Sequence, residues 1–120
     1  MEWAEREQLK EKYAGGTEYF LYKGPIYPPD PLIILLKAFS HFKKWQQSGM
    51  KLVLAGETNR KTKKLQEKLE TYKYREDVVI IENPTAEIVN DLLAAAYAPV
   101  PIDQPEEELA KQLVALFKER

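Results

Sequence analysis

Three short apolar runs, each followed by a stretch of helical periodicity, do most to limit what this chain can become. Tyr19–Lys23 reads Tyr-Phe-Leu-Tyr-Lys, Lys51–Ala55 reads Lys-Leu-Val-Leu-Ala, and Asp77–Ile81 reads Asp-Val-Val-Ile-Ile. Aromatic and β-branched residues bounded by turn signals predict strands. The third run shows no polar alternation, which predicts a strand covered on both faces. After the first run, Gly24-Pro25 stops the strand, and Pro28 and Pro29 make Ile26–Asp30 a rigid loop. Asp30 is then the predicted N-cap of a helix with Pro31 at its first position. Leu32, Leu35, Leu36, Phe39 and Phe42 form that helix's apolar face, and Gly49 ends it.

Two more helices follow by the same reasoning. Arg60–Tyr74 carries Leu65, Leu69 and Tyr72 on one side. Asn83-Pro84-Thr85 opens a helix with Ile88, Val89, Leu92 and Leu93 as its apolar side. Tyr97–Ile102 is predicted as a fourth strand, confined to a sheet edge by Pro99 and Pro101. Asp103 with Glu106 reads as a capping box for a last helix that buries Leu109, Leu113, Leu116 and Phe117. Ahead of the first strand, Glu2–Tyr13 reads as a surface helix with Trp3, Leu9 and Tyr13 as sparse apolar contacts, closed by Gly15-Gly16. Alternating strands and helices with right-handed crossovers give an α/β fold. The expectation is a single three-layer Rossmann-like domain over residues 1–120, with a four-stranded parallel sheet and helices on both faces.

Charge and composition narrow the function. Eighteen basic and 19 acidic residues leave a net charge of −1, which favours neither nucleic acid nor an anionic membrane as partner. Having no cysteine, the chain makes no disulfide, thiolate or cysteine-ligated metal site. The longest apolar run, Leu32–Leu36, is too short to span a bilayer, and the charged first residues contain no apolar signal region. A soluble cytoplasmic protein is expected.

Ligands of parallel sheets bind beyond the carboxyl ends of the strands. That places interest on Gly24–Asp30, Gly56–Lys61 and Glu82–Thr85. In the middle loop, Arg60, Lys61, Lys63 and Lys64 oppose the dipole of the helix they begin, where acids are favoured. A bound phosphate accounts for this, as does a solvated basic turn. Gly24, Gly56, Glu57, Asn59, Arg60 and Lys61 are therefore the candidate donor- or phosphate-binding residues, with Lys23 beside them. Gly56 has a steric reading too, a turn that leaves no room for a β-carbon. His41, with no acid at helical spacing, reads as a surface residue, and Ser40 beside it does not face it. Glu106, Glu107 and Glu108 read as helix-start acids. Neither GxGxxG nor GxxxxGK[ST] occurs. No catalytic residue, metal site or cofactor is nominated.

The segment order resembles family 4 retaining glycosyltransferases of the GT-B architecture, from about Arg6 to Asp103. The strings that carry the resemblance are Glu18–Gly24, Leu35–Lys43, Met50–Gly56, Tyr72–Val78 and Leu93–Ala98. In that family they build the first half of the C-terminal domain, which binds the nucleotide diphosphate of a sugar donor. The resemblance thus implies a nucleotide-diphosphate sugar as ligand. The sequence also departs from the family. An Arg or Lys that contacts the donor phosphates usually follows the first strand, where this chain has Pro25–Asp30. The family's Glu-Gly-Phe-Gly segment is replaced by Pro101-Ile102-Asp103 and a helix. The resemblance therefore implies a domain not catalytically competent alone. The alternative expectation is a non-catalytic interaction module, a homodimer formed through the sheet edge beyond the fourth strand.

Overall fold

The computed structural model describes residues 3–27, 29–46, 49–100 and 105–118. Its elements are α1 (Trp3–Ala14), β1 (Tyr19–Lys23), α2 (Pro29–Gln46), β2 (Lys51–Gly56), α3 (Thr62–Glu70), a 3-10 turn (Arg75–Asp77), β3 (Val78–Glu82), α4 (Ala86–Ala95), β4 (Ala98–Pro99) and α5 (Glu106–Lys118). The four strands form one parallel sheet in the order β3-β2-β1-β4. This is the α/β Rossmann-like architecture expected from the alternation of segments.

Strand side chains alternate between two cores, as the period of two requires. Phe20, Tyr22, Leu52 and Leu54 point to one face, where they meet α2 (Leu32, Leu35, Leu36, Phe39 and Phe42), Leu65 of α3, and Leu109 and Leu113 of α5. Tyr19, Leu21, Val53 and Ala55 point to the other, where they meet Ala14 of α1 and Leu92 and Ala95 of α4. Aromatic contacts tie the larger core: Phe20 and Phe42 lie edge-on at 5.2 Å, and Phe39 stacks on Phe42 at 6.0 Å. Each such ring contributes roughly 1.5–3 kcal/mol by leaving water.

Two buried lysines brace the layers. Lys43 donates to the Met50 carbonyl at 3.0 Å and pairs with Asp77 at 3.1 Å, which ties the end of α2 to the start of β3. Lys10 pairs with Glu7 at 2.8 Å and Glu18 at 2.7 Å, and Arg6 also donates to Glu18, at 2.9 Å. Together they dock α1 onto the segment that enters β1.

Some boundaries differ from the expectation. α2 begins at Pro29, so Asp30 lies inside the first turn, where its charge faces the helix dipole, and is not the N-cap. α3 is shorter than Arg60–Tyr74. The Tyr72 hydroxyl donates to the Leu36 carbonyl and accepts from Ser40 at 3.2 Å, and the chain turns inward after Glu70 to make those bonds. β4 is a two-residue edge strand. Pro99 has no N–H to give the ladder, and on either side of β4 Tyr97 N–H donates to Tyr19 O and Val100 N–H to Leu21 O, each at 2.9 Å. β3 is covered on both faces yet only half-buried from Val78 to Ile81, because it forms the opposite edge. Trp3, expected as an apolar contact of α1, is 74% exposed. Pro101, Ile102 and the proposed cap Asp103 lie outside the described residues. No helix among the described residues is long and apolar enough to cross a membrane.

Candidate functional site

The carboxyl ends of β1, β2 and β3 open into a cleft of about 420 Å³ lined by their loops. Gly24, Gly56 and Glu57 meet there, with Lys23 at the margin. Asn83, Pro84 and Val89 supply the wall from the β3–α4 side.

Backbone hydrogen bonds lace the three loops together. Gly24 N–H donates to Ala55 O at 3.1 Å, Ile26 N–H to Glu57 O at 2.8 Å, and Asn83 N–H to Gly56 O at 2.8 Å. Gly24 has φ of +155°, and a β-carbon on it would meet the Tyr22 hydroxyl at 2.8 Å. A β-carbon on Gly56 would run into the Gly24 carbonyl. The steric reading of Gly56 therefore holds: the two loops touch main chain to main chain.

Side chains fix the rest of the rim. Asn83 adopts a left-handed φ of +47°, a conformation asparagine tolerates. Its Oδ1 accepts from Thr58 N–H at 3.1 Å, and its Nδ2 donates to Thr58 Oγ1 at 3.0 Å. Buried Thr62 donates to the Ile26 carbonyl at 2.7 Å and accepts from Asn59 N–H at 3.1 Å. Thr85 caps α4 by accepting from Ile88 N–H at 3.2 Å. The Tyr27 hydroxyl donates to the Glu57 carboxylate at 2.8 Å, and that bond pushes the phenol's pKa up.

Asn59, Arg60 and Lys61 do not line the cleft. They form the exposed turn that leads into α3. Four N–H groups of that turn are already engaged: Lys61 with Asn59 Oδ1 at 2.8 Å, Thr62 with Asn59 O at 3.0 Å, Lys63 with Arg60 O at 3.4 Å and Lys64 with Lys61 O at 3.3 Å. The turn thus uses most of its own backbone donors at the start of α3, which leaves few for anion capture there. The six sequence candidates therefore divide, with Gly24, Gly56 and Glu57 in the cleft and the other three beside it.

The sequence places Asn83 in a rim loop, Glu82–Thr85, without singling it out, and does not point to Val89 or Thr62. An Asn-Pro pair directly after an apolar run was the available signal for Asn83, since asparagine is one of the few residues at ease with positive φ. Among the described residues no group of three or more His, Cys, Asp or Glu could hold a metal ion. The cleft can bind through bare main chain, one ammonium, one carboxylate and an apolar wall.

Comparison with protein-family models returns no match, and comparison with curated proteins returns none.

Proposed function

We propose that the chain is a glycosyltransferase-like domain of the donor-binding kind, whose rim cleft receives the nucleotide diphosphate of a sugar nucleotide without performing transfer by itself. The observation that carries this reading is the convergence of three strand-to-helix loops on a cleft floored by Gly24 and Gly56. Bare main chain lets a ligand approach closely. In this reading Lys23 faces the diphosphate and Glu57 accepts from a ribose hydroxyl. The five ordered strings that resemble GT-B donor domains support it from the sequence side. The reading is one of binding because, among the described residues, the cleft lining contains a single carboxylate and no histidine. Its setting is a reducing cytoplasm, with which a cysteine-free chain is compatible.

Titration with UDP and GDP, followed by amide chemical shifts, tests the proposal. Saturable shifts at Lys23, Gly24, Gly56 and Asn83 are expected at millimolar ligand. Lys23→Ala should weaken UDP binding and leave uridine unaffected. Absence of shifts at those amides would remove the proposal.

A second reading is self-association through a sheet edge. The β4 edge spans two residues and contains Pro99, whereas β3 presents five residues without proline. A two-fold antiparallel pairing of β3 brings Asp77 of one copy towards Glu82 of the other. Such a dimer should strengthen with added salt. Sedimentation showing a monomer at both low and high ionic strength would dispose of it.

A further inference from the structure

We propose that the groove between α2 and α5 is a separate binding site for a neutral pyranose, either free or as the end of a glycan. It lies on different elements from the rim cleft and does not depend on the nucleotide reading. The groove measures about 310 Å³ and is lined by His41, Trp45, Glu106, Glu107, Ala110 and Lys111.

Helix spacing assembles it. His41 and Trp45 stand one turn apart on α2, as do Glu107 and Lys111 on α5. Trp45 is 54% exposed, and its indole lies 5.5 Å from the His41 ring at an angle of 31°. Glu106 Oε2 lies 3.4 Å from His41 Nε2, which sets the two helices' polar groups side by side. Ala110 is buried at the floor, and its short side chain leaves the hollow open.

These groups select among ligand classes. A large flat apolar ring held in water beside polar groups suits a ligand with one apolar face and a polar periphery. A pyranose has both: its axial C–H groups can lie on the indole, and each hydroxyl donates and accepts. Glu106 and Glu107 supply acceptors, Lys111 supplies donors, and His41 supplies either. Two carboxylates disfavour an anion in this groove. The lining holds both signs, two carboxylates and the Lys111 ammonium: a neutral polyol can hydrogen-bond to all three, whereas an organic cation would gain from the carboxylates but leave Lys111 opposed.

Tryptophan fluorescence tests the site. The chain has two tryptophans, so Trp3→Phe leaves Trp45 as the sole indole. Titration of that variant with glucose, galactose, mannose and N-acetylglucosamine should give a saturable change in the millimolar range for at least one sugar. The amides of Gly24 and Gly56 should not move, which separates this site from the rim cleft. Glu107→Gln, at an exposed position, should weaken the response about tenfold. In the otherwise native chain, Trp45→Ala should abolish sugar-induced amide shifts at Lys111 while circular dichroism stays native. A flat titration with all four sugars would overturn the proposal. So would a stronger response to choline or to inorganic phosphate, or sugar shifts that survive Trp45→Ala.

Discussion

The carbonyl of Gly24 occupies the space in which a β-carbon on Gly56 would have to sit. The obstacle is backbone, which cannot swing aside as a flexible side chain would. Gly56→Ala must therefore separate the β1–α2 and β2–α3 loops and strain the bonds Gly24 N–H to Ala55 O and Asn83 N–H to Gly56 O. We expect a loss of about 3 kcal/mol or more, the upper range for overpacking, measured by urea unfolding. Gly49 has nothing within 4 Å of its would-be β-carbon. Gly49→Ala should stay within about 0.5 kcal/mol of the parent or stabilise it slightly. Equal effects at the two glycines would contradict the main-chain contact.

Asn83 joins a conformational requirement to a chemical one. Its φ of +47° suits glycine better than alanine, and its side-chain amide makes two bonds to Thr58. Asn83→Ala should lose both the fit and the bonds, about 2 kcal/mol in total. Asn83→Gly should recover the conformational part and be the milder change. If glycine proves as harmful as alanine, the left-handed backbone is not what selects asparagine here.

The helices and the sheet were legible because they follow local periodicity. Leu32, Leu35, Leu36, Phe39 and Phe42 define the buried face of α2 before any fold is known. The parallel order follows from segments too long to be hairpin loops. What the sequence does not display are partners brought from far along the chain. Tyr72 leaves α3 to reach Leu36 and Ser40. His41 gains an acidic neighbour, Glu106, from α5 and not from its own helix. The same holds in the cleft. Gly24 and Gly56 stand out by residue type, while the absence of Arg60 and Lys61 from the lining depends on how Asn59 and Thr62 fold the turn.

Acid should loosen the α1 dock. Burial alone would raise the pKa of Glu18, but hydrogen bonds from Arg6 and Lys10 outweigh it and hold the carboxyl below its ordinary 4.5. A carboxylate with a lowered folded pKa adds stability above its unfolded value, and that stability is lost as pH falls through the folded one. Stability should therefore decline from about pH 4.5 downward. Glu18→Gln should cost about 1–2 kcal/mol at neutral pH, reduced from the cost of a fully buried pair by the partial exposure of Glu18. It should also flatten the acid limb. Denaturant unfolding between neutral pH and pH 3 compares the two chains, and an unchanged acid limb in the variant would exclude Glu18 as its source.

Alkali should act through Tyr19, on the same sheet face that α1 and α4 cover, and through Tyr72, just after α3. Burial pushes the phenol of Tyr72 up to about 12 and raises that of Tyr19 as well. Tyr19 is fully buried and donates to the Leu92 carbonyl at 2.8 Å, so ionisation would place a charge in an apolar core and lose a donor. In the unfolded chain both titrate near pH 10. A group whose folded pKa is raised contributes fully below the unfolded value, and the contribution disappears as pH rises through the folded value. Stability should thus begin to fall near pH 10 and continue falling through pH 12. Tyr19→Phe should cost about 1 kcal/mol at neutral pH through the lost hydrogen bond, yet lose less than the parent between pH 10 and pH 12. Ultraviolet titration should show that Tyr19 ionises only with global unfolding. Tyrosinate formation at Tyr19 in a chain that keeps its native circular dichroism would show that its hydroxyl is not held in the α4-facing core.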